Sequence, residues 1–315
     1  MAKTRDIRRR IQSVRNIHKI TRTMEKVAQS KGMKLTSRSQ EAKAFRQGIA
    51  ALLPEALGLP LDGVTAAQEL AAHPLGAPRA DARKVMYFCV TSSRGLCGGY
   101  NARVIQAART QMEAARAAGK EPQLAVMGRK GIAYFRYHGV SLDLSVPDAD
   151  ENIPFARVQE IADELCAKFL SRQVDAVHIV STRWKSRAAQ EVRTEGLLPL
   201  LPAAAAAAAA TSATSAPAPA VPTEVPAGEP VYLVEPDRRR VLDTLAPLLV
   251  RAQLFCDVLE AMLCEQAQRS AAMRNASDNA DAMTKRLTRT YNRARQAQIT
   301  NEMIEIISGS EGGRT

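Results

Sequence analysis

Apolar residues near the start of the chain recur at helical spacing: Ile7, Ile11, Val14, Ile17, Ile20, Met24 and Val27 step by four, three, three, three, four and three. No proline interrupts Lys3 to Leu53, so the pattern predicts one long helix with Gly32 as its weak point. Between Pro247 and Gly309 there is neither glycine nor proline, and roughly 60 helical residues would span about 90 Å. In the distal half of that stretch Ala276, Ala280, Met283, Leu287, Tyr291 and Ala294 draw a seam too narrow for a helix lying on a sheet. Such a seam requires a helical partner, and the N-terminal helix supplies one. Because the N-terminal helix is the shorter, the last C-terminal turns are expected to run on past the pair. They carry Ile299, Met303, Ile304, Ile306 and Ile307 on more than one side, so a partner outside this chain is expected to sheathe them.

Between the two helices the period changes. VMYFCV after Lys84 reads as a buried strand, TSSRGLCGG as a turn, and Asn101 to Ala118 as a helix. Leu124 to Met127 reads as a strand, Lys130 to Tyr137 and Phe155 to Ser171 as helices, and Ala176 to Thr182 as a strand with Ala188 to Leu198 as its hairpin partner. This alternation predicts a small α/β domain with a mainly parallel sheet. The expected organisation is an N-terminal helix over 1–55, a connector over 56–83, a central α/β domain over 84–202, an Ala/Pro-rich surface insertion over 203–230, and a foot segment with the C-terminal helix over 231–315. The fold class is therefore α+β: a long antiparallel coiled coil of the terminal helices with an inserted Rossmann-like α/β domain.

The formal net charge is +12, and its placement matters more than its size. Residues 1–50 hold fourteen Lys or Arg against Asp6, Glu25 and Glu41, a surplus of eleven, so the remainder is close to neutral in sum. Lys285, Arg286, Arg289, Arg293 and Arg295 nevertheless form a basic collar on the distal helix, suited to an acidic partner. Five cysteines without CxxC spacing argue against a disulfide framework or a zinc site, and four scattered histidines add no metal cluster. The start MAKTRDIRRR has no apolar core of a signal peptide, and the longest apolar stretch, Leu197 to Ala210, is cut by Pro199 and Pro202. A soluble chain is expected.

The turn Gly95-Leu-Cys-Gly-Gly99 invites comparison with phosphate-binding loops, but it has neither the Lys-Ser/Thr of a P-loop nor GxGxxG spacing. The simpler reading is a tight turn under a packed helix. Cys97 has no histidine near it in sequence, and Ser92 and Ser93 lack a GxSxG frame, so neither nucleophile is supported. No catalytic, cofactor-binding or metal-binding residues are assigned.

Four stretches, MAKTRDIRRRIQSVRNIHKITRTMEKVAQSK, SSRGLCGGYN, YLVEPD and YNRARQAQITNEMIEIISG, resemble the gamma subunits of F-type ATP synthases. The resemblance implies a rotor shaft: a coiled coil turning inside a ring of three alpha and three beta subunits, with the α/β domain against the epsilon subunit and the membrane ring of c subunits. It implies one copy per complex, no cofactor, no nucleic acid, and a peripheral place on the cytoplasmic side of a bacterial inner membrane. Residue by residue, it implies that Met24, Lys26 and Arg269 face an acidic lever of a beta subunit. Arg295, Gln296, Thr300, Glu302 and Glu305 would meet the loops that grip the tip, and Tyr232 and Glu235 would lie against the c ring. Two departures accompany it. Ser93 stands where the family often has an acid, and the insertion from Ala203 carries no cysteine, so no thiol switch of the chloroplast type is expected there.

Two other classes of function share parts of this pattern. Basic helical hairpins also bind RNA, but an RNA arm ends in a polar turn, whereas here both termini meet at an apolar tip. An enzyme built on Gly95 to Gly99 would require nucleotide binding by the middle domain.

Overall fold

The computed structural model describes residues 2–56, 70–79, 81–148, 150–186, 189–201, 235 and 237–312. Helix α1 (Ala2–Ala56) is followed by β1 (Lys84–Val90), α2 (Tyr100–Ala117), β2 (Glu121–Met127), α3 (Arg129–Tyr137), β3 (Leu144–Val146), α4 (Phe155–Leu170), β4 (Ala176–Trp184), β5 (Gln190–Leu198) and α5 (Arg238–Gly312). The insertion at 203–230, half of the 56–83 connector (57–69 and 80) and Tyr232 lie outside the described residues. The chain divides into two compact units: Met1–Ser30 with Gln266–Thr315, and Lys31–Glu265.

The second unit is built on a five-stranded sheet in the order β3-β2-β1-β4-β5, parallel throughout except for β5, which runs antiparallel to β4. Side chains alternate along a strand, so β1 serves two cores. Val85, Tyr87 and Cys89 pack with α2 and α3 residues such as Val104, Ala108 and Phe135. Met86, Phe88 and Val90 pack with Val158, Leu165 and Phe169 of α4 and with Val250, Leu254 and Val258 of α5. From 256 to 266 every residue of α5 is buried, and Leu35 and Ala42 of α1 close the same core. Gly128, between β2 and α3, has φ +96°, and a Cβ there would lie 2.1 Å from the Thr91 carbonyl oxygen, so no other residue fits.

α5 also carries charge into this unit. The Asp257 and Glu260 side chains are each only 3% exposed. Arg183 of β4 pairs with Glu195 of β5, with Glu260 at 3.0 Å and with Asp257 at 3.9 Å. Lys43 of α1 pairs with Glu260 at 3.2 Å. Arg46 donates to Gln253 at 2.6 Å, and Gln253 donates to Asp257 at 2.8 Å. Burial pushes the Asp257 carboxyl up to about 7 against the pull of these donors.

In the first unit α1 and α5 run antiparallel: Thr4 Oγ1 donates to Gln298 at 3.1 Å, while His18, further along α1, lies within electrostatic reach of Asp281, earlier in α5. α1 begins at Ala2 and α5 runs on to Gly312, so about 20 Å of α5 extends beyond the pairing. The covered positions of α1 in this unit are Thr4, Ile7, Ile11, Val14, His18, Thr21, Glu25 and Ala28, alternating by three and four without a break. That is a heptad seam. The run of three-residue steps expected from the sequence leaves this line after Val14. Ile17, Ile20, Met24 and Val27 are 49%, 58%, 39% and 48% exposed, because successive threes fall short of the 3.5-residue repeat and drift onto the neighbouring face. On α5 the same correction moves Met283 out, at 45% exposed, and puts Thr284 on the covered face with Ala280, Leu287, Tyr291 and Ala294.

Three further differences have local causes. β2 starts at Glu121, ahead of Leu124: Pro122 lies where β2 has β1 on one side only, since β3 pairs from Ala125 onward, and an edge tolerates the missing N–H. β3 is three residues long, too short to leave a period. α5 begins nine residues before Pro247 and continues through it, with Leu242, Ala246 and Val250 buried around it.

Gly128→Ala is expected to destabilise the chain by about 1–3 kcal/mol, read by urea unfolding. A second expectation concerns pH. The folded state holds the Asp257 proton up to about pH 7 against a usual 3.8, so stability falls as pH rises across that window and levels off above it. Asp257→Asn should flatten this fall, with Arg183, Lys43, Arg46, Glu195 and Glu260 left in place.

Candidate functional site

The residues singled out by the glycine turn do not assemble a reactive centre. Asn101 ties the turn together: its Oδ1 accepts the Ser92 N–H at 2.9 Å, and its Nδ2 donates to Ser92 Oγ at 2.8 Å and to Cys97 Sγ at 3.3 Å. Leu96 (φ 64°) and Gly98 (φ 57°) take the left-handed turn that turns the chain into α2. Ser93 Oγ donates to the Pro147 carbonyl, joining this turn to the loop after β3. Burial pushes the thiols of Cys89 and Cys264 up to about 12, and those of Cys166 and Cys256 to about 11, so these four are neutral thiols.

In open α/β sheets ligands bind at the carboxyl ends of the strands where the strand order reverses. Here that point lies between β1 and β4. Beside it, where β4 runs on past its last β1 partner Val180, α5 supplies a carboxylate of the chain's own. Glu260 Oε1 accepts the Trp184 N–H at 3.1 Å, and Oε2 accepts from Arg183 at 3.0 Å. Cys264, one turn along α5, packs in the same core as Cys89 and Val180. The usual ligand end of the sheet thus receives a helix.

The surface left open is on the first unit. Ile17, Ile20, Met24 and Val27 step by three, four and three, a second apolar line beside the buried seam of α1. A helix with two apolar lines has one partner too few within the pair. Seventeen Lys or Arg stand in the two segments of this unit against seven Asp or Glu, so the line is set in an electropositive field.

The residues assigned by resemblance distribute as follows. Met24 lies on the open apolar line, whereas Lys26, two residues on, projects about 200° away around the axis, so one flat surface does not meet both. Arg269 is half-buried. Arg295, Gln296, Thr300 and Glu302 are exposed, Thr300 Oγ1 donating to the Gln296 carbonyl at 3.0 Å. Arg295, Ile299 and Glu302 share one outward stripe at four-three spacing, and Gln296, Thr300 and Met303 share the next. Ile299, Met303 and Ile304 are 44%, 57% and 57% exposed. Glu235 is exposed, and the Tyr232 and Glu305 side chains lie outside the described residues. Gln298 was missed by sequence reading: it accepts from Thr4 and donates to Glu302 at 2.8 Å, linking the start of α1 to the tip stripe. Its position four residues beyond Ala294 on the same seam was the available signal. Among the described residues no helix is long and apolar enough to cross a membrane.

The model of a family described as ATP synthase matches residues 3–312. An ATP synthase gamma chain from Frankia casuarinae is 34% identical, over 97% of this chain and 96% of its own length. One from Chlorobaculum tepidum is 34% identical over 99% of both. The fold is similar to a chain in the Euglena gracilis mitochondrial ATP synthase OSCP/F1/c-ring structure, with TM-score 0.65, 16% identity, and coverage of 99% of this chain and 94% of that one. Matched along nearly its whole length by sequence, this chain belongs to the ATP synthase gamma chain family.

Proposed function

We propose that this chain is the central-stalk rotor subunit of an F-type ATP synthase, with no catalytic centre of its own. The observation that carries the reading is the second apolar line of α1, Ile17, Ile20, Met24 and Val27, left open on a basic pair of helices whose tip isoleucines are also open. A surface of that kind suits a sleeve that touches it at many angles, because apolar contact is non-directional and few hydrogen bonds lock one position. Family membership supplies the identity of the sleeve: the ring of alpha and beta subunits. The epsilon subunit and the c ring take the α/β unit, at one copy of this chain per complex, which places it peripherally on the cytoplasmic face of a bacterial inner membrane. Under this reading Met24, Lys26 and Arg269 meet the beta lever, Arg295, Gln296, Thr300, Glu302 and Glu305 meet the loops at the tip, and Tyr232 and Glu235 lie towards the c ring.

The energetics fit a distributed contact. A rotor acts on a catalytic site only through differences in binding free energy between that site's conformations. Reversing 99:1 odds takes about 5.5 kcal/mol, and one exposed ion pair contributes about 0–1 kcal/mol, so the work is shared along the shaft. That division also explains why Lys26 and Met24 can serve from different faces: each is presented as the shaft turns.

Co-expression with alpha, beta and epsilon subunits should yield a complex with one copy of this chain per three alpha–beta pairs, measured by native mass spectrometry; a chain that remains alone rejects the rotor reading. Within that complex Met24→Lys should leave nucleotide binding intact and lower ion pumping per ATP hydrolysed by about tenfold, since a lysine pressed into an apolar contact costs about 1–3 kcal/mol. Normal coupling in that variant removes Met24 from the contact.

A further inference from the structure

The ion cluster around Arg183 joins three separate parts of the second unit. Arg183 and the Trp184 N–H come from β4 and Glu195 from β5, Asp257 and Glu260 from α5, and Lys43 from α1. Among the described residues much of the remaining contact between the sheet and the two long helices is apolar: Phe88, Val90, Val177, Ile179 and Leu197 with Leu254, Val258 and Leu35. Apolar packing resists separation and turning through close fit, but being non-directional it does not by itself specify one angular register. Directional contacts specify it. Glu260 uses both oxygens, Oε1 accepting from the Trp184 N–H and the Lys43 ammonium, Oε2 from the Arg183 guanidinium, and Arg183 forks onto Glu195 from Nε and Nη2. A rotation of α5 by one residue's worth, about 100°, removes Glu260 from every one of these partners and leaves a buried carboxylate unpaired, while Arg183 keeps only Glu195.

We propose that Arg183, held between Glu195 and the α5 carboxylates Asp257 and Glu260, is the torsional clamp through which torque passes between the α/β unit and the long helices. The inference rests on the rotor reading. Arg183 is a positioning residue: it touches no nucleotide and acts by fixing α5 and the β4–β5 hairpin in one angular register. Glu260 fills the role that an anionic ligand plays at this end of other α/β sheets, so the chain's own helix is seated as a ligand and the clamp closes over it. The upward displacement of Asp257 by burial is consistent with a site that withdraws charge from water to gain direction.

The test uses the assembled complex with Arg183→Met, which keeps the length of the stem and removes the fork, and Glu260→Gln, which keeps the shape and the Trp184 contact and removes the charge. Arg193→Met, which breaks only the exposed pair with Glu191, is the control. The expected result is unchanged subunit stoichiometry and near-normal hydrolysis by the detached soluble part, with ion pumping reduced several-fold in both test variants and not in the control. Amide exchange in β5 and in 256–264 should quicken by about tenfold or more in Arg183→Met, because the hairpin can open without unfolding the sheet. A normal pumping ratio in both variants overturns the clamp, as does unchanged torsional stiffness in single-molecule rotation. If Arg183→Met does not assemble, Glu260→Gln decides alone. Loss of assembly of the unaltered chain with alpha and beta subunits would reject the rotor reading, a result separate from either.

Discussion

A heptad seam governs the terminal helices, and its composition explains how they are used. Of the eight covered positions of α1 in the first unit, Thr4, His18, Thr21 and Glu25 are polar, and α5 adds Ser277, Thr284 and Gln298 on its side. Polar groups in a seam fix register at a cost in stability. Only Ile7, Ile11, Val14 and Ala28 give α1 apolar cover there, while four further apolar residues, Ile17, Ile20, Met24 and Val27, stay open on the adjacent face. The helix thus places much of its apolar surface where its helical partner does not reach. A pair made in this way is specified by its own seam and completed by whatever encloses it.

The second unit reverses that arrangement. There α5 is buried at every residue from 256 to 265, enclosed by the sheet, α4 and α1, and it brings Asp257 and Glu260 into contact with Arg183, Lys43 and the Trp184 N–H. The same helix is therefore a thinly covered strut in one unit and a core element in the other. The difference lies in the side chains: LLVRAQLFCDVLEAMLCE is apolar most of the way round, whereas NASDNADAMTKRLTRTYNRA leaves a single narrow stripe. An α/β sheet whose ligand end receives a helix has no need of a phosphate loop, which accounts for the glycine turn at Gly95 being closed upon itself by Asn101 and Ser92.

Much of the fold was legible in the sequence. Long proline-free stretches with apolar repeats define helices by local chemistry alone, and alternation of buried strands with helices implies parallel pairing, because a parallel connection needs a crossover. The antiparallel β4–β5 hairpin followed from the strand run Ala176 to Thr182 and the short segment Ala188 to Leu198 beyond a turn. The features missed were those in which local pattern carries little information: a strand of three residues at Leu144–Val146, and a strand start masked by Pro122. The residues assigned to partner contacts could be named only through resemblance, because an exposed apolar line one step from the seam merges with the seam's period along the chain.

The sequence by itself determined which segments are helical, which unit holds a sheet, and where positive charge collects, since each depends on neighbours along the chain. Tertiary structure alone decided which apolar line of α1 faces α5: Ile17 and Val14 are equally apolar, and a shortfall of half a residue per step, accumulated over one heptad, separates the covered stripe from the open one. It also decided that Arg183, Glu195, Asp257, Glu260 and Lys43 form one cluster. These residues are drawn from four elements as much as 217 positions apart, and a pairing at that range is set by sheet order and helix packing, which no local spacing encodes.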